Sequence, residues 1–135
     1  MVEAGSLAGQ TRPILLAGAL LAATGVAMGA FGAHALRDTL GPDKLATWDT
    51  AVQYQMWHAI ALVALSALAT PRLGLPSALF VAGTVLFSGS LYALALTGAR
   101  WLGPVTPLGG LLMISGWILV AWRCLGGTVR GGESF

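Results

Sequence analysis

Apolar positions along this chain come in long unbroken runs, not in the alternation of a half-buried strand. Residues 13–36, 50–71, 73–99 and 101–122 contain no Asp, Glu, Lys or Arg. Each run reaches the roughly 20 residues that a helix rising about 1.5 Å per residue needs to cross a bilayer. Short segments separate the runs: Arg37-Asp38-Thr39-Leu40-Gly41-Pro42, Thr70-Pro71-Arg72-Leu73-Gly74-Leu75-Pro76 and Arg100-Trp101-Leu102-Gly103-Pro104. The pattern predicts an all-α integral membrane protein with spans at about 13–36, 50–70, 76–97 and 105–123. Connections this short make consecutive spans antiparallel neighbours, giving an up-down-up-down four-helix bundle.

Local signals refine the boundaries. Pro13 suits a first helical position, where its missing N–H is not needed. Asp43 follows Pro42 and would sit in a positive first turn, so helix two is expected to begin near residue 43, above the membrane. Leu45, Trp48, Val52, Met56 and Ala59 recur at helical spacing and support one continuous helix into span two. Residues 1–12 read as a polar, mobile N-terminal tail, and 124–135 as a flexible, Gly-rich C-terminal tail. Arg12 and the apolar run after it look somewhat like a signal peptide, but the run is too long for an h-region and is expected to stay as span one.

Composition narrows the function classes. Charged residues make up 9% of the chain, against about 25% in ordinary globular proteins. Net charge is only +2, and the seven basic residues stand singly at span ends. That is the distribution of headgroup anchors and topology signals, and no nucleic-acid partner is expected. The terminal side carries Arg12, Arg72, Arg123 and Arg130, and the other side Arg37, Lys44 and Arg100. The excess places both termini in the cytoplasm of a plasma-membrane (bacterial inner-membrane) protein. Trp48, Trp57 and Trp101 fall toward the side of loops one and three and Trp122 toward the other, as interfacial belts. The single cysteine, Cys124, has no disulfide partner and no metal spacing around it.

Several strings resemble a known family. Gly29-Ala30-Phe31-Gly32-Ala33-His34, Ala46-Thr47-Trp48 and Val52-Gln53-Tyr54-Gln55-Met56-Trp57-His58-Ala59 look like its first half. Phe87-Ser88-Gly89-Ser90-Leu91-Tyr92, Ala95-Leu96-Thr97-Gly98, Thr106-Pro107-Leu108-Gly109-Gly110 and Gly116-Trp117 look like its second. Together, over about residues 13–123, they resemble domain-of-unknown-function family 423, the YgdD/YwdK-like small membrane proteins. The resemblance implies a four-span inner-membrane protein with no established molecular function. Trp57 is a mild departure, since the family more often has Tyr there.

Two residue groups are candidates for more than lipid contact. Gly25 and Gly29 form a GxxxG that Gly18, Ala22 and Ala33 extend into a small-residue stripe. Gly25, Gly29 and Ala33 are therefore expected at a close helix contact, either inside the bundle or in a dimer seam. The second group is polar. Gln53, Tyr54, Gln55 and His58 are the densest polar set in any span, and polar side chains in lipid are expected to turn inward. With Ser88 and Tyr92 of span three and His34 at the end of span one, they lie in the half of the membrane nearer loop one. His34, Gln55, His58, Ser88 and Tyr92 are expected to converge into an internal polar cluster, either a hydrogen-bonded plug or a binding pocket.

The chemistry such a cluster could support is limited. Two histidines could offer axial nitrogens to haem, but no carboxylate or thiolate at similar depth completes a metal site. Ser88-Gly89-Ser90 is not framed as a nucleophile elbow, and there are no paired carboxylates and no phosphate loop. No enzyme activity, metal or cofactor is expected. The intramembrane carboxylate used by proton-coupled four-span exporters is missing. The composition fits best a structural or accessory membrane protein packing with itself or with a larger complex. The alternative is a small transporter or a lipid- or small-molecule-binding membrane protein.

Overall fold

The computed structural model describes the backbone of residues 2–68 and 71–128 and the side chains of 9, 11–68 and 72–126. It is all-α, with four long helices: α1 (Val2–Phe31), α2 (Pro42–Ala67), α3 (Gly74–Thr97) and α4 (Val105–Thr128). A π-helical turn, Gly32–Leu36, prolongs α1, and single 3-10 turns at Pro71–Leu73 and Arg100–Leu102 precede α3 and α4. There is no strand among the described residues.

The helix boundaries follow from local chemistry. Gly41 is extended and Pro42 opens α2, with Asp43 in its first turn. α3 ends where Gly98 adopts φ +67° and returns its N–H to the carbonyl of Leu94 at 2.8 Å, a left-handed cap that glycine accepts without strain. Two boundaries differ from expectation. Residues 2–12, expected as a mobile tail, are helical, so Pro13 lies inside α1. Pro13 has no N–H for the carbonyl of Gly9, but Gly9 is exposed, so this carbonyl can be solvated instead. At the other terminus α4 continues through 124–128, and the rest of the expected tail, 129–135, lies outside the described residues.

Glycines set the packing and prove its direction. A Cβ on Gly18 would lie 2.9 Å from Val63 Cγ2, one on Gly25 2.6 Å from Met56 Sδ, one on Gly29 3.4 Å from Val52 Cγ1, and one on Gly32 2.6 Å from Trp48 Cδ1. Rising numbers on α1 meet falling numbers on α2, so the two are antiparallel and the glycine stripe is engaged inside the bundle. Ala33, expected on this stripe, is exposed; Gly32, three residues after Gly29, takes the inward position, where Trp48 fills the space beside it. On α3 and α4, Gly83 faces Met113 and Gly116 faces Phe80, again antiparallel, and a Cβ at either would come within 2.7 Å of its partner. α2 and α3 form the centre: α1 lies mainly on α2 and α4 on α3.

The core has two parts. Leu36, Trp48, Ala51, Tyr92 and Ala95 pack near loop one, and Leu62, Leu65, Leu73 and Phe80 near the terminal side. Trp48, expected in an interfacial belt, is 1% exposed, while Trp57, Trp101 and Trp122 are exposed. Thr11–Leu36, Gly74–Thr97 and Arg100–Gly126 are long and apolar enough to cross a membrane. α2 is equally long, but its two glutamines and His58 make it less apolar. It lies between α1 and α3, where Gln55 is met, while His58 turns toward α4 and Gln53 is exposed.

Candidate functional site

Hydrogen bonds in the interior start from α2. Gln55, 5% exposed, donates through Nε2 to the carbonyl of Leu21 at 2.9 Å and to Thr24 Oγ1 at 2.8 Å on α1. Its Oε1 accepts the hydroxyl of Tyr92 on α3 at 2.7 Å. Both amide protons and the amide oxygen are thus engaged, and one side chain ties three helices together. Thr24 also donates to the carbonyl of Leu20 at 2.8 Å. One turn before Tyr92 on α3, Ser88 donates to the carbonyl of Ala51 at 2.8 Å. Trp48 Nε1 donates to the carbonyl of Met28 at 2.9 Å, and its ring packs 4.5 Å from that of Tyr92.

His58 forms a second centre toward α4. Its Nδ1 lies 2.8 Å from the carbonyl of Tyr54, and its Nε2 lies 3.1 Å from Trp117 Nε1. A carbonyl only accepts and an indole N–H only donates, so these partners assign the proton to Nδ1 and the lone pair to Nε2. His58 is therefore a neutral imidazole with both nitrogens matched. Phe80 and Trp117 surround it with ring centroids 5.3 and 6.0 Å away. Farther along α3, Ser90 and Thr106 share a hydrogen bond of 2.7 Å, which ties α3 to α4.

Four of the five residues expected in the cluster are buried in this network: Gln55, His58, Ser88 and Tyr92. They form two adjoining centres instead of one pocket, Gln55–Tyr92 facing α1 and His58 facing α4. His34 is not among them. In the π-helical turn only Gly32 and Leu36 are buried, and His34 between them is exposed. Gln53 is exposed as well. Thr24, Trp48, Trp117 and Thr106 complete the network and were not expected in it. Trp48 could have been suspected, because a buried indole needs an acceptor, whereas Trp117, 46% exposed, reaches His58 from the bundle surface.

This arrangement holds helices and leaves little chemistry exposed. Among the described residues every buried side-chain nitrogen or oxygen has a hydrogen-bond partner, and no group of three or more His, Cys, Asp or Glu is placed to hold a metal. Ser88 faces a backbone carbonyl and no base. Cys124 is exposed near the end of α4.

Comparison with known proteins finds relatives among membrane proteins. The family model described as "Protein of unknown function (DUF423)" matches residues 28–110, which include the glycine-packed end of α1, all of α2 and α3, and the start of α4. The chain is 46% identical over 112 residues to UPF0382 membrane protein YwdK of Bacillus subtilis, covering 78% of this chain and 90% of that protein. It is 43% identical over 109 residues to UPF0382 membrane protein SH2409 of Staphylococcus haemolyticus, covering 78% and 89%. Over 99 residues it is 43% identical to UPF0382 inner membrane protein YgdD of Escherichia coli K12, covering 70% and 76%. No solved structure matches it. With its four antiparallel helices and a matched segment that includes both Gln55 and Tyr92, the chain belongs to the DUF423 family of membrane proteins of unknown function.

Proposed function

We propose that this protein is a structural or accessory component of the bacterial inner membrane, with no catalytic activity of its own, and that it works by presenting fixed helix faces to a second copy or to a larger membrane complex. One observation carries the reading: the buried polar side chains are matched to one another and to backbone carbonyls, so they lock helix register. A binding pocket would need polar groups that remain to be met by a ligand. The outer helices supply the complementary feature, exposed apolar faces at Leu15, Leu16 and Leu20 on α1 and at Leu111, Ile114 and Ile118 on α4.

The inner-membrane placement is supported by the name of the Escherichia coli relative. The excess of arginines at the terminal side supports cytoplasmic termini. The deciding experiment is cross-linking in native membranes followed by purification in mild detergent. A stoichiometric partner protein, or a discrete homo-oligomer, is the expected result. A monomer that carries a small molecule, released by His58→Ala, would overturn the accessory reading in favour of a ligand-binding one.

A further inference from the structure

Beside the seam of α1 and α2, at the loop-one end, lies a cavity of about 270 Å³. Gly32, Ala33 and Arg37 line it from the end of α1, and Leu45 and Asp49 from the outer turns of α2. The volume falls below the roughly 300–1,000 Å³ of drug-sized sites and suits a small polar group. Its α1 wall is the π-helical turn Gly32–Leu36, with Arg37 as C-cap. Such turns are rare and occur frequently at functional sites.

Arg37 and Asp49 give the cavity one charge of each sign. Arg37 keeps helical dihedrals, φ −56° and ψ −39°, so its side chain leans back along α1 toward Ala33. Asp49 leans back along α2 toward Leu45 by the same rule. Because the helices are antiparallel, the guanidinium reaches inward and the carboxylate outward, and the two approach one level. Even so, neither side chain has an ion pair or hydrogen bond among the described residues. Lys44 stands on another side of α2, its Nζ 3.9 Å from where a Cβ on Gly98 would lie.

The level of the cavity in the membrane follows from the charge pattern. Arg37 is the first charge after the run 13–36, and Asp49 the last before the run 50–71. Both stand where the hydrocarbon ends and the headgroups begin. A purely anionic ligand would meet Asp49, and a purely cationic one would meet Arg37. A zwitterion satisfies both. Quaternary ammonium groups are held by aromatic faces, and none of the lining residues is aromatic. Asp49 accepts hydrogen bonds, which a primary ammonium donates. A guanidinium matches phosphate with paired N–H donors.

We propose that this cavity binds the headgroup of phosphatidylethanolamine, its phosphate on Arg37, its ammonium on Asp49 and its acyl chains in the surrounding bilayer. The site adds to the accessory role without resting on it, because its test reads bound lipid alone. The full chain is delipidated in detergent and given palmitoyl-oleoyl phosphatidylethanolamine, phosphatidylglycerol or phosphatidylcholine at equal concentration. Native mass spectrometry counts the lipid retained. One phosphatidylethanolamine per chain is expected, held about fivefold better than either other lipid, the order that one charge near a membrane surface supplies.

Asp49→Asn should erase the preference over phosphatidylglycerol, and Arg37→Gln should lower retention of phosphatidylethanolamine about fivefold. Both side chains are exposed, so the lipid-free variants should melt as the unsubstituted protein does. Equal retention of the three lipids by the unsubstituted protein would overturn the proposal, as would a preference that survives both substitutions. Variants that melt earlier yet keep the preference would show Arg37 and Asp49 serving only one another, and the proposal would fail. Binding of soluble glycerophosphoethanolamine with no retention of the lipid would overturn the membrane source.

Discussion

Trp48 occupies the space that any side chain at position 32 would need. A Cβ on Gly32 would lie 2.6 Å from its Cδ1 and 2.7 Å from its Nε1. The same Nε1 is tied to the Met28 carbonyl, so the indole has little freedom to move aside. Gly32→Ala should therefore destabilise the detergent-solubilised protein by about 1–3 kcal/mol, the usual range for overpacking. Gly29→Ala, whose Cβ would meet Val52 at an ordinary 3.4 Å, should stay within about 0.5 kcal/mol. Equal melting of the two variants would show that Trp48 does not rest on α1.

The Gln55–Tyr92 bond should be measurable as a coupling. Tyr92→Phe removes the donor to Gln55 Oε1 and should lower stability by about 0.6–2 kcal/mol. In a double-mutant cycle with Gln55→Leu the losses should fail to add by at least about 0.5 kcal/mol. Strict additivity in thermal unfolding would mean that the two side chains do not meet.

His58 has a predicted tautomer. Nitrogen NMR of the protein in micelles should show the proton on Nδ1 and an unprotonated Nε2, because Tyr54 offers a carbonyl and Trp117 an N–H. Trp117→Phe should shift the Nε2 resonance and lower stability by about 1 kcal/mol, the net worth of a typical hydrogen bond. An Nε2–H tautomer would place Trp117 elsewhere.

Topology can be tested with cysteines introduced after Cys124→Ser. Thr39→Cys, in loop one, should react with an impermeant maleimide applied outside intact spheroplasts. Ser134→Cys should react only after permeabilisation. The opposite pattern would reverse the orientation while leaving the fold intact.

Much of the fold was legible because absence of charge over more than 20 residues is itself the physical requirement for a span. The inward turn of Gln55, Ser88 and Tyr92 followed from the same logic, since an amide or hydroxyl in lipid needs a partner. His34 was misplaced although helical spacing carried the answer: five residues beyond Gly29, it falls about 140° round α1 from the glycine face that packs on α2. Trp48 suited both an interfacial belt and a buried seat against a carbonyl, and only its packing between Gly32 and Tyr92 decides. The link between Trp117 and His58 spans 59 positions, and helical spacing within one element cannot report it.

The hydrogen bonding of α2 bears on the order in which the chain enters the membrane. By composition α2 is the least apolar of the four helices, and its buried polar groups reach backward along the chain as donors and forward as acceptors. Trp48 and Gln55 bond to Met28, Leu21 and Thr24, all synthesised earlier. Tyr92 and Trp117 arrive later. α2 thus has its first partners waiting as it leaves the ribosome, and it suits insertion as a hairpin with α1 better than insertion alone. α1 in this sense is a template for the segment that follows it.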